Sequence, residues 1–258
     1  MAGVKGKVAL VTGAGNAGGI GFATARLLME AGAKVAISST TARIFERLKE
    51  LGGDVGSTFA QPADLTITAE VTALCEAVEE NLGPIDIVVN NAGMVQVGRN
   101  EPSTALKDTS DAAWHYGIDI NLSSAFLVTR AVLPGMVARN YGRIVQMSSV
   151  TGPVVGIAGS GVYAAAKAGL LGLARVLAIE AGPHNVTVNC IGPGWIETDS
   201  SSQREILAGK YAPIGRPGTP DEIGHVAVFL ASEEASYVTG QLIVVDGGNT
   251  IQEYKVQI

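Results

Sequence analysis

Three features of the sequence predict an α/β fold built on a parallel, doubly wound sheet. Short β-branched runs alternate with amphipathic stretches from end to end, the runs are continuously apolar, and a glycine-rich turn follows the first of them. Unbroken apolar runs mark strands covered on both faces, and strand–helix alternation makes them parallel through right-handed crossovers. The expected strands are Val8–Thr12, Lys34–Ser38, Ser57–Ala60, Ile85–Asn90, Arg143–Met147, Asn185–Ile191 and Leu242–Val245. Helical patterns between them include Gly21–Ala31, Arg43–Leu51, Thr68–Leu82 and Gly161–Ala181. No Pro/Ser/Gly-rich linker, charge run or internal repeat divides the 258 residues, so one domain is expected over 1–258, with the substrate cleft integral to it.

Composition narrows the function classes. The chain is 47% apolar and 16% charged, with 33 glycines, so it can bury a core and is not expected to be disordered. A net charge of −6 carries no electrostatic footprint for nucleic acid or an anionic membrane. The uncharged stretches Val8–Ala25 and Ile144–Ala166 are broken by glycine and polar residues and do not read as spans. Lys5 and Lys7 precede only Val8–Val11 before Thr12, too short for a secretory apolar region. A soluble, cytoplasmic protein is expected. Cys75 and Cys190 match no ligand or redox spacing and read as buried thiols. His115, His184 and His225 are scattered, so no metal site is expected.

The turn Thr12-Gly13-Ala14-Gly15-Asn16-Ala17-Gly18-Gly19-Ile20-Gly21 lies between the first strand and the first helix. Glycine permits positive φ and close backbone approach to a pyrophosphate, and the helix N-terminus offers free N–H groups to phosphate oxygens. Gly13-x-Gly15-x-x-Gly18 therefore fits a dinucleotide fingerprint in its required context.

With Asn90-Asn91-Ala92-Gly93, Tyr163-Ala164-Ala165-Ala166-Lys167, Pro193-Gly194 and Asp246-Gly247-Gly248, this turn resembles the short-chain dehydrogenase/reductase family over nearly the whole chain. The resemblance implies a single-domain Rossmann fold with a seven-stranded sheet and an NAD(P)-dependent oxidoreductase interconverting a ketone and a secondary alcohol. Two departures stand out. The family's turn reads TGxxxGxG, whereas two further residues precede the closing Gly19-Ile20-Gly21 here, so Gly13, Asn16, Gly19, Ile20 and Gly21 are the expected contacts rather than Gly15 or Gly18. Met94–Gly117 is longer than in compact members and is expected to lie over the substrate cleft.

Tyr163 and Lys167 are i and i+4 on one helix face. Tyrosine titrates near pH ~10, so a neighbouring ammonium and an oxidised nicotinamide are expected to favour its phenolate. By resemblance Ser149 is the serine that bonds the substrate oxygen, with Ser148 its rival, and Asn121 is the asparagine that holds a relay water. The resemblance also places Asp64 and Leu65 at the adenine and Asn91, Ala92 and Gly93 beside the adenosine ribose. It puts Pro193, Gly194, Ile196 and Thr198 around the carboxamide, and Tyr163 and Lys167 at the nicotinamide ribose.

The second strand ends Ser38-Ser39-Thr40-Thr41-Ala42-Arg43, without the Asp or Glu that would hold a ribose 2′-OH. Ser39 and Thr40, with Arg43 in reach, suit a 2′-phosphate, so NADP(H) is favoured and NAD(H) is the alternative. The overall likeness is to 3-oxoacyl-carrier-protein reductases. Asn140 and His184, however, stand where those enzymes carry arginines that grip the carrier, leaving a small ketone, a secondary alcohol or an acyl thioester equally open as substrate. An NAD-dependent secondary-alcohol dehydrogenase is the alternative enzyme, and a non-catalytic cofactor-binding regulator the alternative of another class. Enoyl reduction uses a wider Tyr–Lys spacing. The apolar circumference of Gly161–Ala181 and the apolar last strand predict a homotetramer.

Overall fold

The structure, a computed structural model, describes residues 3–93 and 104–253. Its strands are β1 (Val8–Thr12), β2 (Lys34–Ser39), β3 (Thr58–Pro62), β4 (Ile87–Asn90), β5 (Gly142–Met147), β6 (Val186–Pro193) and β7 (Leu242–Val245). They form one parallel sheet in the order β3-β2-β1-β4-β5-β6-β7. The order reverses between β1 and β4, the place where doubly wound sheets open a crevice at their carboxyl ends.

The helices are α1 (Ile20–Glu30), α2 (Ile44–Leu51), α3 (Thr68–Leu82), α4 (Asp111–Ile118), α5 (Ser124–Arg139), α6 (Gly161–Ala181), α7 (Gln203–Lys210) and α8 (Pro220–Ala231). A π-turn, Asp119–Ser123, joins α4 to α5. Strand alternation divides the core. Leu10 and Val88 face α3, α5 and α6 through Leu74, Val78, Val128, Met136 and Leu170. Ala9, Val11, Ile87 and Val89 face α1, α2 and α8 through Leu27, Leu28, Ile44, Ile223 and Val228. Both sheet faces are covered, which is why the strands read as continuous apolar runs.

The helical stretches Asp111–Arg139 and Gly161–His184 are long and apolar enough to cross a membrane by length and composition alone. Both use part of that apolar surface within the fold: Val128, Val132 and Met136, and Leu170, Ala174 and Leu177, join the core. Cys75 and Cys190 are free and buried, and burial pushes each thiol up to about 12.

Candidate active site

A cavity of about 660 Å³ opens at the carboxyl ends of β4, β5 and β6. Asn91 and Gly93 after β4, Met147–Thr151 after β5 and Pro193–Ile196 after β6 line it, with Ile20 at the start of α1 and Tyr163 and Lys167 on α6. Thr198 closes one side, and α7 covers another through Arg204, Glu205, Leu207 and Ala208.

The side chains at its floor are organised around α6. Lys167 Nζ lies 5.6 Å from the Tyr163 ring centroid and donates to the Met147 carbonyl at 2.9 Å. Ser149 and Tyr163 both line the cavity, with the Ser149 hydroxyl close enough to act on the phenol, and Ser149 Oγ accepts from the Thr151 amide at 3.0 Å. Ser148 Oγ donates instead to the Lys167 carbonyl at 2.8 Å and ties β5 to α6. The two adjacent serines at the strand end thus differ in their bonds: Ser148 is tied to α6, and the Ser149 hydroxyl acts on the tyrosine.

Asn121 is buried in the π-turn, where its Nδ2 donates to the Gly117 carbonyl at 3.1 Å. A Cβ on Gly93 would lie 2.7 Å from Asn121 Oδ1 and 3.2 Å from Lys167 Nζ. A bare backbone there keeps the space between asparagine and lysine open.

Burial pushes the Tyr163 phenol above the usual tyrosine value; the Ser149 hydroxyl draws it down, and the Glu205 charge pushes it up. Lys167 is itself lowered to about 8 by burial, partly offset by Cys190. Among the protein groups, desolvation of the hydroxyl is the largest influence on the phenol.

The dinucleotide side lies along the ends of β1 and β2. Gly13 has φ +68°, and a Cβ there would stand 2.7 Å from the Ala92 backbone, so only glycine lets the turn pass the end of β4. Asn91 Nδ2 donates to the Thr12 and Gly13 carbonyls at 3.1 and 3.0 Å. Thr12 Oγ1 accepts from the Asn91 and Ala92 amides at 3.1 and 3.2 Å. Gly19 is the N-cap of helix α1, with no side-chain cap and no acid in the first turn, which leaves the amides near Ile20 and Gly21 suited to phosphate oxygens. These residues fit a dinucleotide.

The two additional residues of the turn fold back on it. Asn16 Oδ1 accepts from the Gly18 amide at 3.3 Å, and the Asn16 carbonyl accepts from the Gly19 amide at 3.1 Å. The Gly18 amide also donates to Asp199 at 3.0 Å, joining the turn to the segment after β6. A Cβ on Gly15 would meet Ser39 Oγ at 3.0 Å and an Arg43 terminal nitrogen at 3.3 Å, so Arg43 lies over the β2 end. Ser39 Oγ donates to the Thr41 carbonyl, and Thr40 is exposed. Asp64 Oδ1 accepts from the Thr66 amide and hydroxyl, which fixes the turn after β3, while Leu65 is buried. Ser39, Thr40, Asp64 and Leu65 sit outside the lining of the cavity, towards β2 and β3.

Residues 94–103 of the stretch expected over the cleft lie outside the described residues. Its described remainder packs on the first turn of α6: Cβ atoms on Gly161 and Gly117 would meet Leu106 and Val162. Sequence reasoning missed the cover supplied by Trp195 and α7. The signal was present in Ser202-Gln203-Arg204-Glu205, which forms a capping box at the start of α7. His184 Nδ1 and Asn140 Oδ1, at the positions compared with carrier-gripping arginines, contact each other at 3.4 Å.

Comparison with known proteins agrees with this geometry. A family model described as Enoyl-(Acyl carrier protein) reductase matches residues 13–250. The chain is 39% identical to the oxidoreductase UcpA of Escherichia coli K12, covering 98% of each chain. It is also 39% identical to the 3-oxoacyl-[acyl-carrier-protein] reductase FabG of Vibrio cholerae, covering 95% of this chain and 98% of that one. A crystal structure from Agrobacterium tumefaciens, of a proposed gluconate dehydrogenase, superposes with a TM-score of 0.86 at 32% identity, over 96% and 97% of the two chains. A doubly wound sheet, a glycine-rich turn at its switch point and this extent of shared sequence make the chain a member of the short-chain dehydrogenase/reductase family, an NAD(P)-dependent oxidoreductase.

Proposed function

We propose that the enzyme reduces a ketone to a secondary alcohol with NADPH, and the meeting of Ser149, Tyr163 and Lys167 in one cavity carries this reading. The bound nicotinamide supplies the hydride that reaches the carbonyl carbon. Tyr163, held neutral by burial, gives its proton to the carbonyl oxygen as charge develops there, and the Ser149 hydroxyl donates to the same oxygen. Lys167 is anchored to Met147 beneath the tyrosine and has ammonium donors to offer the nicotinamide ribose. Asn121, beside the opening at Gly93, serves the route by which Tyr163 is reprotonated. The three residues between Tyr163 and Lys167 support carbonyl rather than enoyl reduction.

Arg43 over the β2 end, with no acid at Ser39 or Thr40, supports NADPH over NADH. Ser39→Asp sets a carboxylate where a 2′-phosphate would sit. The expected result is a higher kcat/KM with NADPH for the wild type and a narrowed or reversed ratio for the variant, measured on a panel of small ketones and acyl thioesters. A wild type that prefers NADH overturns the assignment.

A cytoplasmic homotetramer belongs to the same proposal. Leu122, Phe126, Gly169, Gly172, Leu173 and Val176 form a shallow apolar groove on the outer side of α5 and α6, and Ile179 beside it is 77% exposed. Half-exposed β7 ends the sheet. Light scattering at micromolar concentration is expected to give four times the 26.4 kDa chain mass. A mass near one chain contradicts the assembly, and a dimer leaves one of its two interfaces.

A further inference from the structure

The first turn of α7 holds a cation without a role in the chemistry above. Arg204 lines the cavity, is exposed, and its guanidinium has no ion pair or hydrogen bond among the described residues. Arg26, Arg47 and Arg216, by contrast, are closed onto Asp221, Glu50 and Glu222. The acid next to Arg204 in sequence is committed elsewhere: Glu205 accepts from the Ser202 amide and hydroxyl, both at 2.7 Å. Glu205 is also near enough to Tyr163 for its charge to act on the phenol, so this turn of α7 looks onto the reacting end of the cavity.

Much of the cavity lining is apolar. Val155, Ile157, Trp195, Leu207 and Tyr211 line the cavity with Arg204. Ile157, Leu207 and Tyr211 remain 41%, 53% and 39% exposed, a large apolar surface to leave in water at the mouth of a pocket. Arg204, Ser149 and Tyr163 line the same cavity, so a molecule whose carbonyl meets Ser149 and Tyr163 shares it with the guanidinium. An exposed ion pair is worth little in open water, but a bidentate guanidinium contact flanked by apolar side chains is stronger and geometrically selective.

We propose that Arg204 is a specificity-determining residue that selects substrates carrying an anionic group, carboxylate or phosphate, separated from the reacting carbonyl by an apolar spacer. The proposal rests on the ketone-reductase reading. A small oxo acid and the phosphate-bearing arm of an acyl thioester both supply that chemistry.

Binding to the enzyme–NADPH complex tests it by calorimetry with two unreactive pairs: hexanoate against hexanamide, and pantetheine 4′-phosphate against pantetheine. In the wild type at least one anion is expected to bind about tenfold or more tightly than its neutral partner, a preference that weakens with salt. In Arg204→Gln that ratio falls towards one, and Arg204→Lys restores part of it. A preference confined to the hexanoate pair identifies a small oxo acid, and one confined to the phosphate pair identifies the thioester arm. Ratios near one for both pairs in the wild type, no binding by either anion, or a ratio unchanged in Arg204→Gln overturns the proposal. These arms read binding alone, so they succeed or fail independently of the ketone panel.

Discussion

Tyr163→Phe is expected to lower turnover by about 10²- to 10⁴-fold, the range of a positioned general acid. The substitution keeps the half-buried ring and its packing on α6 and removes the hydroxyl that lines the cavity beside Ser149. Dinucleotide affinity, assigned in the proposal to the glycine-rich turn and Lys167, is expected to stay near the wild-type value. Steady-state rates with a turned-over ketone and a fluorescence titration with NADPH separate the two quantities. A variant keeping more than a tenth of the wild-type rate contradicts the role. The raised phenol also sets the pH dependence of the wild type. Its proton is in place at and below neutral pH and is lost as pH rises through a value above the ordinary tyrosine range, so reduction holds through neutrality and declines in strong alkali. Alcohol oxidation needs the phenolate and increases over that same rise.

Lys167→Ala is expected to damage turnover and cofactor binding together. A charge-assisted hydrogen bond contributes ~1.5–3 kcal/mol, which corresponds to a rise in dinucleotide Kd of roughly 10- to 100-fold. Lys167 is buried beneath Tyr163, and its ammonium meets the Met147 carbonyl at 2.9 Å, so the variant also leaves a buried carbonyl without that donor. A fall in Tm reports the structural share, and saturating NADPH recovers occupancy but not rate if the lysine also serves the chemistry. Unchanged affinity for the dinucleotide removes the ribose contact from the assignment. Because burial lowers Lys167 to about 8, its charge is present at neutral pH and lost through that value, so affinity weakens across it.

Much of the scaffold was legible because it depends on local pattern. Both-face burial makes β1, β2, β5 and β6 read as apolar runs, and their observed limits differ from expectation by two residues or fewer. β3 is an edge strand and mostly half-buried, so composition marks it weakly; it runs Thr58–Pro62 rather than Ser57–Ala60. α7 escaped notice because Gln203–Lys210 is short and mixed in polarity, although its capping box was written in Ser202 and Glu205.

The site was legible as residue types and spacing but not as electrostatics. Tyr163 and Lys167 come together as a one-turn pair must. The upward displacement of the phenol comes from burial and from Glu205, more than forty positions away in sequence, which no local motif encodes. The division of labour between Ser148 and Ser149 likewise depends on α6 packing against the end of β5. The additional residues at Asn16–Gly18 read as an insertion of unknown course; in the structure they close on Asn16 and reach Asp199.

Carbonyl reduction by hydride transfer at the Ser149–Tyr163 pair is tested most directly by following the hydrogen. NADPH deuterated at the nicotinamide C4, prepared separately on each face, is incubated with the enzyme and a ketone it consumes, and the alcohol is analysed by mass spectrometry. The account predicts one deuterium on the carbinol carbon from one of the two faces only, with formation of labelled alcohol abolished or nearly so in Tyr163→Phe. Cofactor oxidation that yields no labelled alcohol, or labelled alcohol formed equally well by Tyr163→Phe, would contradict it.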